Sequence, residues 1–286
     1  MKVIILLGLR VRSGTNFVGT TLKQHPEVQT IPPHTSLGEF NLFREEHIKN
    51  KVFKSISTNS FSSGVNKKDF PHFMRLYGNL WQQFLKEKFN LDEEKTLFIK
   101  SPRVKETYLW QLAFPNAKIA LLCRDGRDNV ISSIKASNDR RNWHKTSHIV
   151  KKKFNFYSGR YFLNFTKDWA EKARIFSSIE ENSNLKKFKY EELNDSFEGI
   201  KTLLEFYELD HTRENVEKCL GAPVMGSSYG VENKKVTKPN WQPDYDKSKF
   251  SFTGKWGHWK SRKKSIFKKI AGSELIDLGY EENNKW

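Results

Sequence analysis

Lys2-Val3-Ile4-Ile5-Leu6-Leu7-Gly8, running on into Leu9-Arg10-Val11-Arg12-Ser13-Gly14 and then Thr15 to Gln24, is the stretch on which the fold turns. The first seven residues form a continuous β-prone run without polar alternation, the pattern of a strand covered on both faces. The next six hold a glycine-containing turn. Thr15 to Gln24 reads as a helix that ends before His25-Pro26. Strand, turn and helix in immediate succession make the first half of a βαβ unit.

A second cycle starts near residue 96. Thr96-Leu97-Phe98-Ile99-Lys100 is a short apolar strand that Pro102 ends, and Val104 to Phe114 is amphipathic, with Leu109, Leu112 and Ala113 on one face. After a Pro115-Asn116 turn, Lys118-Ile119-Ala120-Leu121-Leu122-Cys123 is another strand of the buried kind. Arg124-Asp125-Gly126-Arg127 forms the following loop, and Asp128 reads as the cap of a helix running through Ile134. Leu185 to Tyr190 is the last strand expected, and Lys255 to Ala271 returns to helix. Strands alternating with helices predict an α/β fold, a single domain over 1–286 with a central, mostly parallel sheet flanked by helices. Residues 33–68, 137–160 and 221–253 lie outside the pattern and read as irregular. Long segments of that kind in a compact domain are usually functional.

Composition bounds the function without choosing it. Fifty Lys and Arg against 33 Asp and Glu give a net charge of +17, and 22 Phe with 8 Trp supply enough bulk for a core. Disorder is excluded as the main reading. No apolar run approaches the ~18 residues of a membrane span, and Arg10 and Arg12 follow Val3–Leu7 where a signal peptide would need small residues. Cys123 and Cys219 alone form neither a disulfide framework nor a metal site, which points to a reducing, cytoplasmic setting. The charge suits nucleic acid, an anionic membrane, an acidic glycan or a phosphate-rich cofactor alike.

The turn after the first strand narrows this. In open α/β sheets ligands bind at the carboxyl ends of strands, where a helix N-terminus offers free N–H groups to an anion. Gly8 and Gly14 let the backbone close on a phosphate, and Arg12, Thr15 and Asn16 add charge and hydrogen bonds. The turn is P-loop-like but lacks the Gly-Lys-Ser/Thr of a nucleoside triphosphatase, because Thr15 follows Gly14 and the cation stands earlier, at Arg12. The plainer alternative is an ordinary tight turn. A second anion corner combines Arg124, at the end of a buried strand, with Ser132 and Ser133 on the next helix; an ion pair of Arg124 with Asp125 or Asp128 is its plainer alternative. Two such corners predict a ligand with phosphates at both ends.

Arg12-Ser13-Gly14-Thr15-Asn16 with His25-Pro26-Glu27-Val28, then Lys100-Ser101-Pro102, then Phe114-Pro115-Asn116-Ala117-Lys118 leading into Arg124-Asp125-Gly126-Arg127 and Ser132, resembles the sulfotransferases that use 3′-phosphoadenosine-5′-phosphosulfate (PAPS). The resemblance runs from residue 3 to about 136 and resumes at Phe188 to Leu193, Gly254-Lys255-Trp256 and Leu278-Gly279-Tyr280. With Arg12 in place of a lysine, it is closer to the tyrosylprotein and bacterial branches than to the cytosolic one. It implies that Arg12, Ser13, Gly14, Thr15 and Asn16 grip the 5′-phosphosulfate and that Arg124 and Ser132 hold the 3′-phosphate. Phe17 and Tyr190 would contact adenine, and Lys255 would add a cofactor-binding cation. PAPS is the implied donor, released as adenosine 3′,5′-bisphosphate, with no metal.

Charge then sets the expected chemistry: Arg12 and Lys100 neutralise the oxygen left on the 5′-phosphate, while a general base takes the acceptor's proton. Glu39, in Gly38-Glu39-Phe40, is the nearest match to the base of tyrosylprotein-type enzymes, and His34 is its rival. The acceptor is a hydroxyl compound, with a glycan or small-molecule alcohol favoured over a peptide tyrosine and an acidic one suited to the charge. Irregular segments 33–68 and 137–160 would line its side of the site. A P-loop-like nucleotide kinase and a basic nucleic-acid-binding protein remain as alternatives at this point, although no nucleic-acid motif is recognisable.

Overall fold

The computed structural model describes residues 1–31, 37–39, 47–57, 64–137, 146–225, 245–249 and 253–286. Five parallel strands, β1 (Val3–Gly8), β2 (Val28–Gln29), β3 (Thr96–Ser101), β4 (Lys118–Cys123) and β5 (Leu185–Lys189), form one sheet in the order β2-β3-β1-β4-β5. The apolar runs are unbroken because both faces are covered. On β1, Val3, Ile5 and Leu7 enter one core while Ile4 and Leu6 enter the other, and Leu97/Ile99 against Phe98 on β3 repeat the alternation. The first core packs on the Phe70–Phe89 and Arg160–Ser178 helices and the Ser261–Asp277 helix; the second packs on Thr15–Leu22, Phe197–Phe206 and Arg213–Leu220. Complete burial of each such side chain stabilises the fold by roughly 1.5–3 kcal/mol before entropy is subtracted.

The middle strand decides where a ligand goes. After β1 the chain crosses to β2 and β3 on one side, then to β4 and β5 on the other, so β1 stands where the winding reverses. A crevice opens at the carboxyl ends of strands on either side of such a point. The turns after β1, β3 and β4 all lie at that edge.

Several expectations are corrected. The helix after β4 spans Gly126–Ser137, and Asp125 caps it, its Oδ1 accepting the Arg127 amide at 2.8 Å. Asp128 sits inside the first turn, and its carboxylate accepts the amides of Gly254 (2.7 Å) and Lys255 (2.8 Å), a task set by tertiary contact. Segments expected to be irregular carry helix where they are described: Ile48–Phe53 continues into Lys54–Ser57, and Thr146–Tyr157 is helical. Val104 to Phe114 splits into a 3-10 turn, Val104–Glu106, and a helix, Thr107–Ala113.

Candidate functional site

The β1 turn has a backbone that few residues tolerate. Arg12 takes φ 71° and Gly14 φ 97°, both left-handed, and Gly14 is the N-cap of the Thr15–Leu22 helix. A Cβ at Gly14 would collide with the ring of Tyr190. For an arginine, the left-handed region costs on the order of 1–2 kcal/mol, and such strain collects at functional sites. Arg10, whose role no local pattern in the sequence signals, braces the turn. Its buried guanidinium bonds Asp168 (2.7 Å), Asn129 (2.5 Å) and Ser133 (2.9 Å), and its amide bonds Ser13 Oγ at 3.2 Å.

Around this turn the two expected anion corners adjoin each other. Arg12 Nε donates to Ser132 Oγ at 3.0 Å, and Arg124 Nη1 donates to the Arg12 carbonyl at 3.4 Å. The Arg124 guanidinium also lies 4.7 Å from the centre of the Tyr190 ring and acts on the Asp128 carboxylate through its charge, while Asp125 is engaged by Arg127. Lys255 reaches the same place through the amide contact with Asp128. Its ammonium is pushed below the usual lysine range by burial first, then by the like charges of Arg124, Lys135 and Arg12. Lys135 was missed in the sequence; the signal was its position three residues after Ser132, on the same side of a helix.

Phe17 meets Tyr190 edge-on, with ring centres 5.5 Å apart and an interplanar angle of 82°. Tyr190 is buried and its hydroxyl donates to Asn194 Oδ1 at 3.0 Å, while Phe17 is half-buried. Tyr190 is thus a wall beneath Gly14, and Phe17 is the more accessible ring.

A second centre lies on the other side of β1. Lys100, near the end of β3, is 1% exposed, and its Nζ donates to Asn16 Oδ1 and Glu39 Oε2, each at 2.9 Å. Burial pushes its ammonium down, opposed by the charge and hydrogen bond of Glu39. Glu39 is held there by backbone: Lys100 N donates to the Gly38 carbonyl at 2.7 Å, and Glu39 pairs with Lys100 as a parallel bridge. Gly38 takes φ 78° against Phe98, which only glycine accommodates easily. The Glu39 side chain remains 49% exposed. The structure thus brings Arg12, Ser13, Gly14, Thr15, Asn16, Phe17, Glu39, Lys100, Arg124, Ser132, Tyr190 and Lys255 to one edge of the sheet. His34 lies outside the described residues.

Several other polar and aromatic side chains serve packing. His25 Nε2 is 2.6 Å from the Asp210 carbonyl oxygen, just past the end of its helix. Trp259 packs on Phe162 and Phe267, and Trp256 lies under Arg127. Cys123 is buried, its thiol pushed up to about 12 by desolvation. Among the described residues, no group of three or more His, Cys, Asp or Glu is placed to hold a metal ion, and no helix is long and apolar enough to cross a membrane.

The sulfotransferase domain family model matches residues 2–282, and the chain belongs to that family. Its fold recurs in solved structures of low identity. A sulfotransferase domain from the curacin biosynthetic pathway is 16% identical at a TM-score of 0.52, covering 98% of this chain and 99% of the other. The sulfotransferase domain of the Synechococcus PCC 7002 olefin synthase is 14% identical at 0.51, covering 95% and 94%. Mouse sulfotransferase SULT7A1, solved in complex with PAP, is 12% identical at 0.51, covering 98% and 86%. Identities this low speak to fold alone. No curated protein sequence matches the chain.

Proposed function

We propose that this sulfotransferase uses PAPS as its donor and transfers the sulfuryl group to a hydroxyl acceptor by a single in-line displacement. The observation that carries the reading is the joining of Arg12, Arg124 and Ser132 by hydrogen bonds at the turn that opens the Thr15–Leu22 helix, with Lys255 tied by its amide to Asp128 of the neighbouring helix. Like charges assembled in a half-buried corner cost free energy that a shared anion relieves. A nucleotide with both a 5′-phosphosulfate and a 3′-phosphate fits that corner, and the left-handed Gly14 leaves the backbone room to approach it.

PAPS, when bound, supplies a sulfuryl group whose bond to the bridging oxygen breaks as the acceptor oxygen bonds to sulfur, leaving negative charge on the 5′-phosphate. The chain's residues do the rest. The turn from Arg12 to Asn16 holds the 5′ end through helix N–H groups and the Arg12 charge. Arg124, Ser132 and Lys255, joined by Lys135, hold the 3′-phosphate. Phe17 offers the adenine an apolar edge, with Tyr190 behind it. Lys100 neutralises the departing oxygen, already positioned by Asn16. Glu39, half-exposed and beside Lys100, accepts the acceptor's proton at its carboxylate. Positive side chains supply the electrostatic stabilisation, so the reading needs no metal.

A glycan or small-molecule alcohol fits as acceptor in this reading better than a peptide tyrosine. Cys123 and Cys219 are free thiols, in keeping with a cytoplasmic setting.

Arg124→Ala tests the assignment of the 3′-phosphate. Loss of a charge-assisted contact worth about 1.5–3 kcal/mol should weaken adenosine 3′,5′-bisphosphate binding roughly 10- to 100-fold in calorimetry, with only a small fall in melting temperature. Parallel loss of both would mark Arg124 as a structural residue braced on Tyr190.

A further inference from the structure

We propose that the Thr146–Tyr157 helix is a docking surface for an anionic lipid bilayer. In this arrangement its Val150–Phe154–Tyr157 face enters the headgroup region, and flanking lysines meet the lipid phosphates. The three residues are spaced i, i+4 and i+7 and therefore share one face of the helix. They are 70%, 54% and 82% exposed, and the helix buries none of its described side chains. Isolated exposed apolar residues are ordinary. A whole helical face of them is not, because the helix gains nothing from the protein's own core by presenting it.

Charge identifies the occupant. At about 100° per residue, Lys151 and Lys153 fall on opposite shoulders of the apolar arc, and both are exposed. Arg160 joins them, its guanidinium 5.0 Å from the Phe154 ring centre. The surrounding stretch 140–167 contains eight Lys and Arg and no Asp or Glu. An apolar arc bordered by cations is the signature of a helix lying in a membrane interface. A soluble polyanion would use the lysines but leave Val150 and Phe154, which offer it no hydrogen bond, in water. A bilayer takes both. The net charge of +17 adds long-range attraction to an anionic leaflet. No helix among the described residues could span the bilayer, so contact is at its surface.

The test is flotation of the full chain with vesicles of phosphatidylcholine alone or mixed with phosphatidylserine. The parent should float with the mixed vesicles only. Lys151→Ser/Lys153→Ser should weaken binding roughly 30-fold, from about 5-fold per lysine near an anionic surface. Phe154→Ser/Tyr157→Ser should weaken it roughly 10-fold or more. Because all four side chains are exposed, melting temperatures should stay at the parent value. Failure of the parent to bind mixed vesicles overturns the proposal. So does retention of binding by the Phe154/Tyr157 variant with displacement by dextran sulfate, which would make the patch a polyelectrolyte site. Neither outcome touches the donor assignment, because bisphosphate binding is read separately.

Discussion

Replacing Lys100 with methionine is expected to lower turnover roughly 10²–10³-fold while leaving the melting temperature at or above that of the parent. The two effects separate because they have different causes. Lys100 is 1% exposed, and burial already disfavours its charge. Methionine keeps the unbranched stem, fills the same space and removes that cost. Its former partners Asn16 and Glu39 are not buried, so water can take over their hydrogen bonds. What cannot be replaced is a fixed cation between the turn and Glu39 when negative charge develops on the departing oxygen. Turnover, followed as bisphosphate release from PAPS with a fixed hydroxyl acceptor, decides the point. A rate within about threefold of the parent would remove Lys100 from the chemistry, and a melting temperature lowered in step with turnover would make it a structural residue.

Glu39→Gln should cost roughly 10²–10⁴ in turnover, about 3–5 kcal/mol of transition-state stabilisation, with bisphosphate affinity close to the parent's. Glutamine is the informative substitution. It retains a carbonyl oxygen for Lys100 Nζ, and the Lys100 amide keeps its bond to Gly38, so the geometry at the end of β3 survives. Only the capacity to accept a proton is lost. Near-normal turnover would assign the base elsewhere.

Much of the scaffold was legible in the sequence. β1 and β4 begin within a residue of where unbroken apolar runs place them, because a strand buried on both faces leaves no room for polar alternation. β2 was not legible: Val28–Gln29 is too short to show a period. The site divides in the same way. Arg12, Gly14 and Arg124 stand at strand ends, where local order betrays them. Asp128 was misread because its partners, Gly254 and Lys255, lie far along the chain. Arg10 escaped notice for the same reason, since Asn129, Ser133 and Asp168 come from two distant helices. Glu39 was named from resemblance, but only the fold reveals its contact with Lys100. The charge of +17 was legible from the start, and its distribution was not: the corner at the β1 turn gathers a few cations, and the Thr146–Tyr157 helix gathers others.

The most direct test of the donor assignment is a calorimetric titration of the protein with adenosine 3′,5′-bisphosphate and, separately, with ATP. The bisphosphate should bind roughly tenfold or more tightly, because only it carries a 3′-phosphate for Arg124, Ser132 and Lys255. Equal affinity for the two nucleotides, or a preference for ATP, would contradict that assignment.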